Sequence, residues 1–255
     1  RHFIIPANLL ISPKPYPTRP EQCMTFYIRG SEVTEIPSGQ YKMMRPRSVI
    51  SGQYTERINR YSGSREFLML QVVFLPGAIY RLTGVPSHKL QGTFENLEDV
   101  FPVESNKINE RLENCNSYNE IIFAIEEFLL GLLKKTKIEE KPADQIFRIM
   151  LKQPSRYSIS WLAKEACYSL RQFERKAYDH LGICPKTFLR ISRFIQSYDM
   201  RIQHPKMDWL SIALAFDYHD YQHLAKEYKE FAGAKPNELF AAESQSLERM
   251  LGLKK

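Results

Sequence analysis

Arg171, Gln172, Arg175 and Lys176, and further along Tyr221, Gln222, His223 and Lys226, carry groups suited to holding a polyanion and reading flat hydrogen-bonding edges. A guanidinium can grip guanine through two parallel N–H donors, and a glutamine amide can do the same with adenine. Tyrosine, histidine and lysine can reach phosphates or base edges. Chemistry of this kind needs a rigid element whose polar face is presented outward while its other face is held in a core.

Both sets lie in one short unit written twice between Ser158 and Phe240. The first copy runs from Leu162-Ala163 through Cys167-Tyr168-Ser169 to Gly182-Ile183-Cys184-Pro185, the second from Ile212-Ala213 through Asp217-Tyr218-His219-Asp220 to Gly233-Ala234-Lys235-Pro236. Ser169 and Asp220, Arg175 and Lys226, Gly182 and Gly233, and Pro185 and Pro236 are all 51 apart, whereas Leu162 and Ile212 are 50 apart, so the second turn carries one extra residue. A repeat of this length is one supersecondary unit duplicated.

Each copy predicts a helix, a tight turn and a second helix. Ser158 is the expected N-cap of the first, with Trp161, Leu162 and Ala166 as its apolar stripe, and Cys167-Tyr168 interrupts the pattern. Ser169 restarts it with Gln172 at capping-box spacing. Leu170, Phe173, Ala177 and Leu181 then fall on one face, leaving Arg171, Gln172, Arg175 and Lys176 outward. In the second copy Asp220 is the expected N-cap, Tyr221, Leu224, Tyr228 and Phe231 face in, and Gln222, His223, Lys226 and Lys229 face out. Two short helices joined by a short turn, the second with a polar basic face, describe a DNA-binding helix-turn-helix. The solvated face of an ordinary helical domain would look alike in one copy; two copies in the same order argue against it.

Over about residues 143–243 the chain resembles the AraC/XylS-type transcription regulators. Ile212-Ala213, Phe216, Asp220, His223-Leu224, Lys226, Tyr228-Lys229, Phe231, Gly233 and Pro236 match the family's C-terminal signature. The family places glycine in both turns, where this chain has Cys167 and Asp217, and an aromatic where it has Leu224. Glycine there serves a left-handed backbone, which Asp tolerates better than Cys. The resemblance implies a bacterial-type regulator whose sensor domain precedes two helix-turn-helix units that bind successive major-groove segments.

The elements between the units fit. Ala143 to Lys152 is an opening helix with Ile146, Ile149 and Met150 inward, ended by Pro154. Pro185 begins a long helix through about Gln203, with Phe188, Ile191, Ile195 and Tyr198 along one side. Its ~19 residues span roughly 28 Å, against about 34 Å for one turn of DNA. Asp208 caps the second unit, Pro236 opens a closing helix through Ala242, and the tail from 244 to 255 is expected at the surface.

Net charge is +7, which suits a polyanionic partner. Lys and Arg outnumber Asp and Glu 12 to 5 over residues 143–207 and 18 to 16 over 1–142, but stand at 6 against 8 over 208–255. The first unit is therefore expected to hold the phosphate backbone more strongly.

Residues 1–141 read as a sensor or dimerisation domain, with a linker at about 134–142. A proline-rich arm or edge segment (1–20) precedes strand-like pieces at Met24–Ile28, Tyr41–Met44 and Ser48–Ile50, and a turn at Glu35–Gly39. Phe67–Leu75 reads as a strand buried on both faces. Helices are expected at Ala78–Leu82, Glu104–Leu112 and Ser117–Lys135, the last with a stripe through Ile121, Ile122, Ile125, Phe128, Leu129 and Leu132. Strands before helices indicate α+β, and the resemblance implies a small cupin-like β-barrel with trailing helices. Val73-Phe74-Leu75-Pro76-Gly77 with the helical tail also resembles an uncharacterised domain found ahead of such DNA-binding halves. An effector pocket between barrel and helices would involve Tyr27, Phe74 and Tyr80, although plain core is the favoured reading of these aromatics. Ser117–Lys135 is the candidate dimer surface.

The four scattered cysteines read as reduced thiols in a cytoplasm, no secretory signal is expected, and the apolar run Ile121–Leu133 is too short to span a bilayer. His219 and His223 share a helical spacing but no third ligand is evident, so neither a metal nor a cofactor is expected. No phosphate-binding loop or catalytic triad can be placed. The partners expected are double-stranded DNA, a small-molecule effector and a second copy of the chain, with no membrane. A cupin-like barrel enzyme, or an architectural DNA binder without a ligand, stand as alternatives.

Overall fold

The computed structural model describes residues 2–4, 14–39, 41–136 and 141–244. Its N-terminal half combines sheets and helices, and its C-terminal half is helical. The strands are β1 (His2–Ile4), β2 (Lys14–Tyr16), β3 (Gln22–Arg29), β4 (Glu32–Ile36), β5 (Tyr41–Met44), β6 (Ser48–Ser51), β7 (Ile58–Ser62), β8 (Glu66–Phe74) and β9 (Phe94–Asn96). They form two antiparallel sheets, ordered β1-β8-β3-β6-β9 and β2-β7-β4-β5. Among the described residues no ladder closes the two sheets into the expected small cupin-like β-barrel. Side chains bridge the space between them: Tyr27 donates to Glu32 and Arg45 donates to Ser51.

Strand β3 shows why the first sheet is buried on both faces. Met24, Phe26 and Ile28 join a core shared with the helices. Cys23 and Thr25 face the opposite way and line a cavity between the sheets. In β8, Phe67, Leu68 and Met69 are buried as expected, but Val73 is 52% and Leu75 54% exposed. Val73 continues the row Phe67, Met69, Gln71 beyond Gln71, which borders the cavity. The turn expected from Glu35 begins only at Pro37. Glu35 and Ile36 stay in β4 because Glu35 accepts hydrogen bonds from Asn59 and Tyr61 across the ladder in β7.

Helices α1 (Ala78–Thr83), α2 (Leu97–Val100), α3 (Pro102–Glu113) and α4 (Tyr118–Lys135), with a 3-10 turn at Ser87–Leu90, complete this half. Helix α4 begins at Ser117, whose hydroxyl accepts from the Glu120 amide. It buries Ile121, Ala124, Ile125 and Leu132. Ile122 does not belong to that stripe: one residue on from Ile121 it is rotated about 100° away, and it is exposed together with Tyr118, Phe123, Leu130 and Leu133. Helix α4 continues to Lys135, as expected, and Lys141 stands at the N-cap of the next helix, at the two ends of the expected linker. Residues 137–140, half of the expected arm and nearly all of the expected tail lie outside the described residues.

The C-terminal half comprises α5 (Pro142–Lys152), α6 (Ile159–Glu165), α7 (Leu170–Leu181), α8 (Pro185–Gln203), α9 (Trp209–Ala215), α10 (Tyr221–Ala232) and α11 (Pro236–Ser244). One continuous core runs through both units and includes Phe147, Phe173, Phe188, Ile191, Phe194, Tyr228 and Phe231. Each such aromatic contributes roughly 2–3 kcal/mol of burial. Because α8 places Phe188, Ile191 and Phe194 in this shared core, it is a braced bar rather than a free connector. No described helix is long and apolar enough to cross a membrane.

Candidate nucleic-acid interface

The units form α6–α7 and α9–α10. Ser158 and Asp208 cap the first helix of each, accepting from the Trp161 and Ser211 amides. Ser169 and Gln172 form a reciprocal capping box at the start of α7, and Asp220 accepts from the His223 amide at the start of α10. Among the described residues, the non-glycine positions with positive φ are Cys167 (59°) and Asp217 (56°), one in each turn. The backbone thus adopts in both turns the left-handed conformation that glycine would favour.

Arg171, Gln172 and Arg175 are exposed on α7, as are Gln222, His223 and Lys226 on α10; Lys176 and Tyr221 are half-buried. Behind them Phe173 and Ala177, and Leu224, Tyr228 and Phe231, are buried. Leu170 departs from the expected inner row at 48% exposure. A helical side chain covers the turn before its own Cα, and the first helical residue has no such turn. His180, absent from the expected row, is buried instead.

Gln172 is also restricted. Its Oε1 accepts from the Ser169 amide and hydroxyl, both at 2.9 Å. That leaves Nε2 as a donor but removes the acceptor that a two-bond adenine contact requires. Arg171 and Arg175 have neither an ion pair nor a side-chain hydrogen bond among the described residues, so both guanidinium forks are available. His223 sets its ring edge-on to Tyr218 at 5.4 Å.

A clamp that sequence reasoning missed joins α8 to the second unit. Glu227 is 2% exposed. It receives Arg190 at 2.9 Å, Arg193 at 2.7 Å and the Tyr218 hydroxyl at 2.8 Å. Arg190 also forks onto Glu230. Burial first, and then the Glu227 carboxylate, push the Tyr218 hydroxyl well above its ordinary range. The readable signal was a glutamate one residue before an inward tyrosine, where the first copy has Lys176.

The N-terminal half docks on the same domain, also without a sequence signal. The Ser87 hydroxyl donates to the His180 carbonyl at 2.8 Å, and the His88 ring stacks on Tyr178 at 4.7 Å and 4°. Arg81 donates to Asp144 of α5, and Tyr80 packs against His180 at 4.4 Å. Burial pushes the His180 imidazole down to about 4, although Asp144 opposes that shift. The Thr18 amide donates to the Phe231 carbonyl at 3.0 Å, near the end of α10.

Among the described residues Tyr27, Phe74 and Tyr80 lie in three different surroundings. Tyr27 faces Glu32 between the sheets, Phe74 packs against the sheet–helix core, and Tyr80 belongs to the interdomain contact. The cavity lies between the sheets, about 100 Å³ in volume, and Cys23, Thr25, Arg45, Tyr54, Arg60 and Gln71 are among its walls. Glu32 pairs with Arg60 at 2.7 Å. Arg45 lies 3.6 Å from the same carboxylate and bonds Thr34, Ser51 and Tyr54. Two buried cations thus share one buried carboxylate. Among the described residues no cluster of metal-ligating side chains occurs.

Residues 162–242 match the family model described as a helix-turn-helix domain. None of the curated proteins matches the chain. Among solved structures, ToxT from Vibrio cholerae has a similar fold, with a TM-score of 0.51 and 13% identity over 91% of this chain and 95% of that one. ToxT bound to (E)-4-(8-methylnaphthalen-1-yl)but-3-enoic acid gives a TM-score of 0.52 and 11% identity over 91% and 96% of the two chains. The AraC-like transcriptional activator CuxR is matched at a TM-score of 0.25 and 11% identity, over 70% of this chain and 67% of that one.

Proposed function

We propose that the chain, whose residues 162–242 match the helix-turn-helix family model, is a sequence-specific transcription regulator of the AraC type that reads two successive major-groove segments of duplex DNA. The observation that carries this is the pair of equivalent helices α7 and α10, each capped alike, each preceded by a left-handed turn, and each presenting a polar outer face. Arg171 and Arg175 read bases or grip phosphates in the first segment, with Gln172 limited to donating one hydrogen bond. Gln222, His223 and Lys226 act in the second, with Tyr221 and Lys176 at the flanks. The N-terminal half senses a small effector in the intersheet cavity, and two copies pair through the exposed apolar face of α4. The carboxylic acid bound by ToxT supports a ligand of that class, since Arg45 and Arg60 share the single Glu32 carboxylate beside the cavity. Binding shifts the population of arrangements in which both units can engage DNA.

The test is Arg175→Ala, measured against a duplex enriched from a random-sequence pool by the wild-type chain. Affinity falls by roughly ten-fold or more, as expected for loss of a guanidinium worth 1–3 kcal/mol, while thermal unfolding is unchanged. Unaltered affinity would reject the assignment of α7.

A further inference from the structure

The outer face of α7 does not end at its own residues. At about 100° per residue, Arg171, Arg175, Tyr178 and the C-cap Gly182 fall within roughly 60° of one another. That strip lies opposite the buried row of Phe173, Ala177 and His180. Its first two turns are open, and beside its last turn, where Tyr178 is still 45% exposed, stands the 3-10 turn Ser87–Leu90 of the N-terminal half. His88 stacks on Tyr178 and comes 3.6 Å from Asp179. A Cβ at Gly182 would meet the Ser87 carbonyl at 2.8 Å. Lys89, next in the chain, is exposed and has no ion pair or side-chain hydrogen bond among the described residues.

The second unit is met at the equivalent place. Gly233, 51 residues after Gly182, has the Arg57 guanidinium at 3.2 Å from where a Cβ would stand, and Thr18 bonds Phe231 two residues before it. The N-terminal half therefore reaches the C-terminal end of both outer faces.

We infer that the N-terminal half is part of the DNA-binding surface, with the Ser87–Leu90 turn continuing the α7 strip and Lys89 binding a backbone phosphate at the rim of the groove read by that helix. This rests on the proposed function. A recognition helix enters the groove by its N-terminal residues, so the final turn of α7 leads toward the rim, where the sugar–phosphate backbone runs. The turn itself contributes His88 and Lys89 and no carboxylate, and the nearby Asp179 of α7 is met by His88 at 3.6 Å. An element built to occlude a phosphate site would be expected to carry the opposite charge. The Gly182 contact and the flat ring stack hold the turn against the helix, so Lys89 is delivered by a fixed support.

The experiment measures binding of the full chain to a duplex enriched from a random pool, over a range of salt concentrations. It compares wild type, Lys89→Gln, Lys89→Arg and Arg175→Ala. Lys89→Gln is expected to weaken binding by roughly three-fold or more and to lower the log–log salt slope by about 0.9, the value for one lost phosphate contact on duplex DNA. Lys89→Arg should restore both. Affinity and slope unchanged in Lys89→Gln, while Arg175→Ala is weakened, would overturn this inference and leave the proposed function standing. Tighter binding by Lys89→Gln would also overturn it, because it would make the turn an obstacle to DNA. If Arg175→Ala is unaffected as well, the assignment of α7 itself fails.

Discussion

Replacing Cys167 by glycine should stabilise the protein. The residue sits at φ 59° between α6 and α7. For an L-residue the left-handed region costs roughly 1–2 kcal/mol, because Cβ crowds the following carbonyl. Glycine removes that crowding but frees the unfolded chain, at a cost of about 0.4–1 kcal/mol. The net gain is about 0.5–1 kcal/mol, or roughly 1–4 °C in melting temperature for a chain of this size. Nothing else of consequence is lost, since the Cys167 side chain is exposed and unbridged. The turn's backbone bonds, Cys167 amide to Lys164 carbonyl at 2.9 Å and Tyr168 amide to Ala163 carbonyl at 3.0 Å, do not involve it. Cys167→Ala keeps the Cβ and isolates the backbone effect, so it should stay within a few tenths of a kcal/mol of wild type. At Asp217, where φ is 56°, the same change should be near neutral, because aspartate already tolerates this conformation. Differential scanning fluorimetry and urea titration of the three variants measure the ordering. If Cys167→Gly is no more stable than Cys167→Ala, strain in the first turn is not the reason the position suits glycine.

Acid should destabilise the interdomain contact. Burial holds His180 at about 4 against 6.5 when unperturbed, so between these values the unfolded chain binds more protons. Stability is therefore intact above about pH 6.5 and falls progressively toward pH 4, by up to roughly 3 kcal/mol. His180→Gln should flatten that part of the curve, and an identical acid profile in the variant would rule out His180 as its source. Glu227→Gln leaves Arg190 and Arg193 without their buried counter-charge and should cost roughly 2–4 kcal/mol, whereas Glu230→Gln, at a more exposed carboxylate, should cost less than about 1 kcal/mol. Equal urea midpoints for those two variants would contradict the clamp.

The helical half was largely legible because its signals are local. Caps at Ser158, Ser169, Asp208 and Asp220, prolines at 185 and 236, and glycines at 182 and 233 each punctuate a helix within a few residues of where it starts or stops. The misplacements were of orientation. Leu170 and Ile122 are apolar and adjacent to buried rows, yet one stands at a helix start and the other faces away from its core. The sheet half was less readable because its pairings are non-local. Strand β7 contains Asn59, Arg60 and Ser62, and only its ladder with β4 makes such a polar segment extended. The intersheet cavity was missed for the same reason: nothing local in the sequence marks Arg45 and Arg60 until Glu32 is brought between them. The Asp144–Arg81 and His88–Tyr178 contacts join residues far apart in sequence, and no periodicity announces them.

The clamp also changes the meaning of the charge asymmetry. By composition residues 143–207 carry 12 − 5 = +7 and residues 208–255 carry 6 − 8 = −2, a difference of nine. Two of the former cations, Arg190 and Arg193, are held by two of the latter anions, Glu227 and Glu230. Setting those pairs aside leaves +5 and 0, a difference of five. Nearly half of the asymmetry is thus an internal device that fixes the long helix against the second unit. The copies differ accordingly: where the first has Lys176, the second has Glu227 turned inward as the anchor. A stiff bar needs such an anchor, because two recognition helices can meet grooves one helical turn apart only if the angle between them is set before DNA arrives. With five charges still separating the two segments, the expectation that the first unit holds the phosphate backbone more strongly is carried by cations outside the clamp.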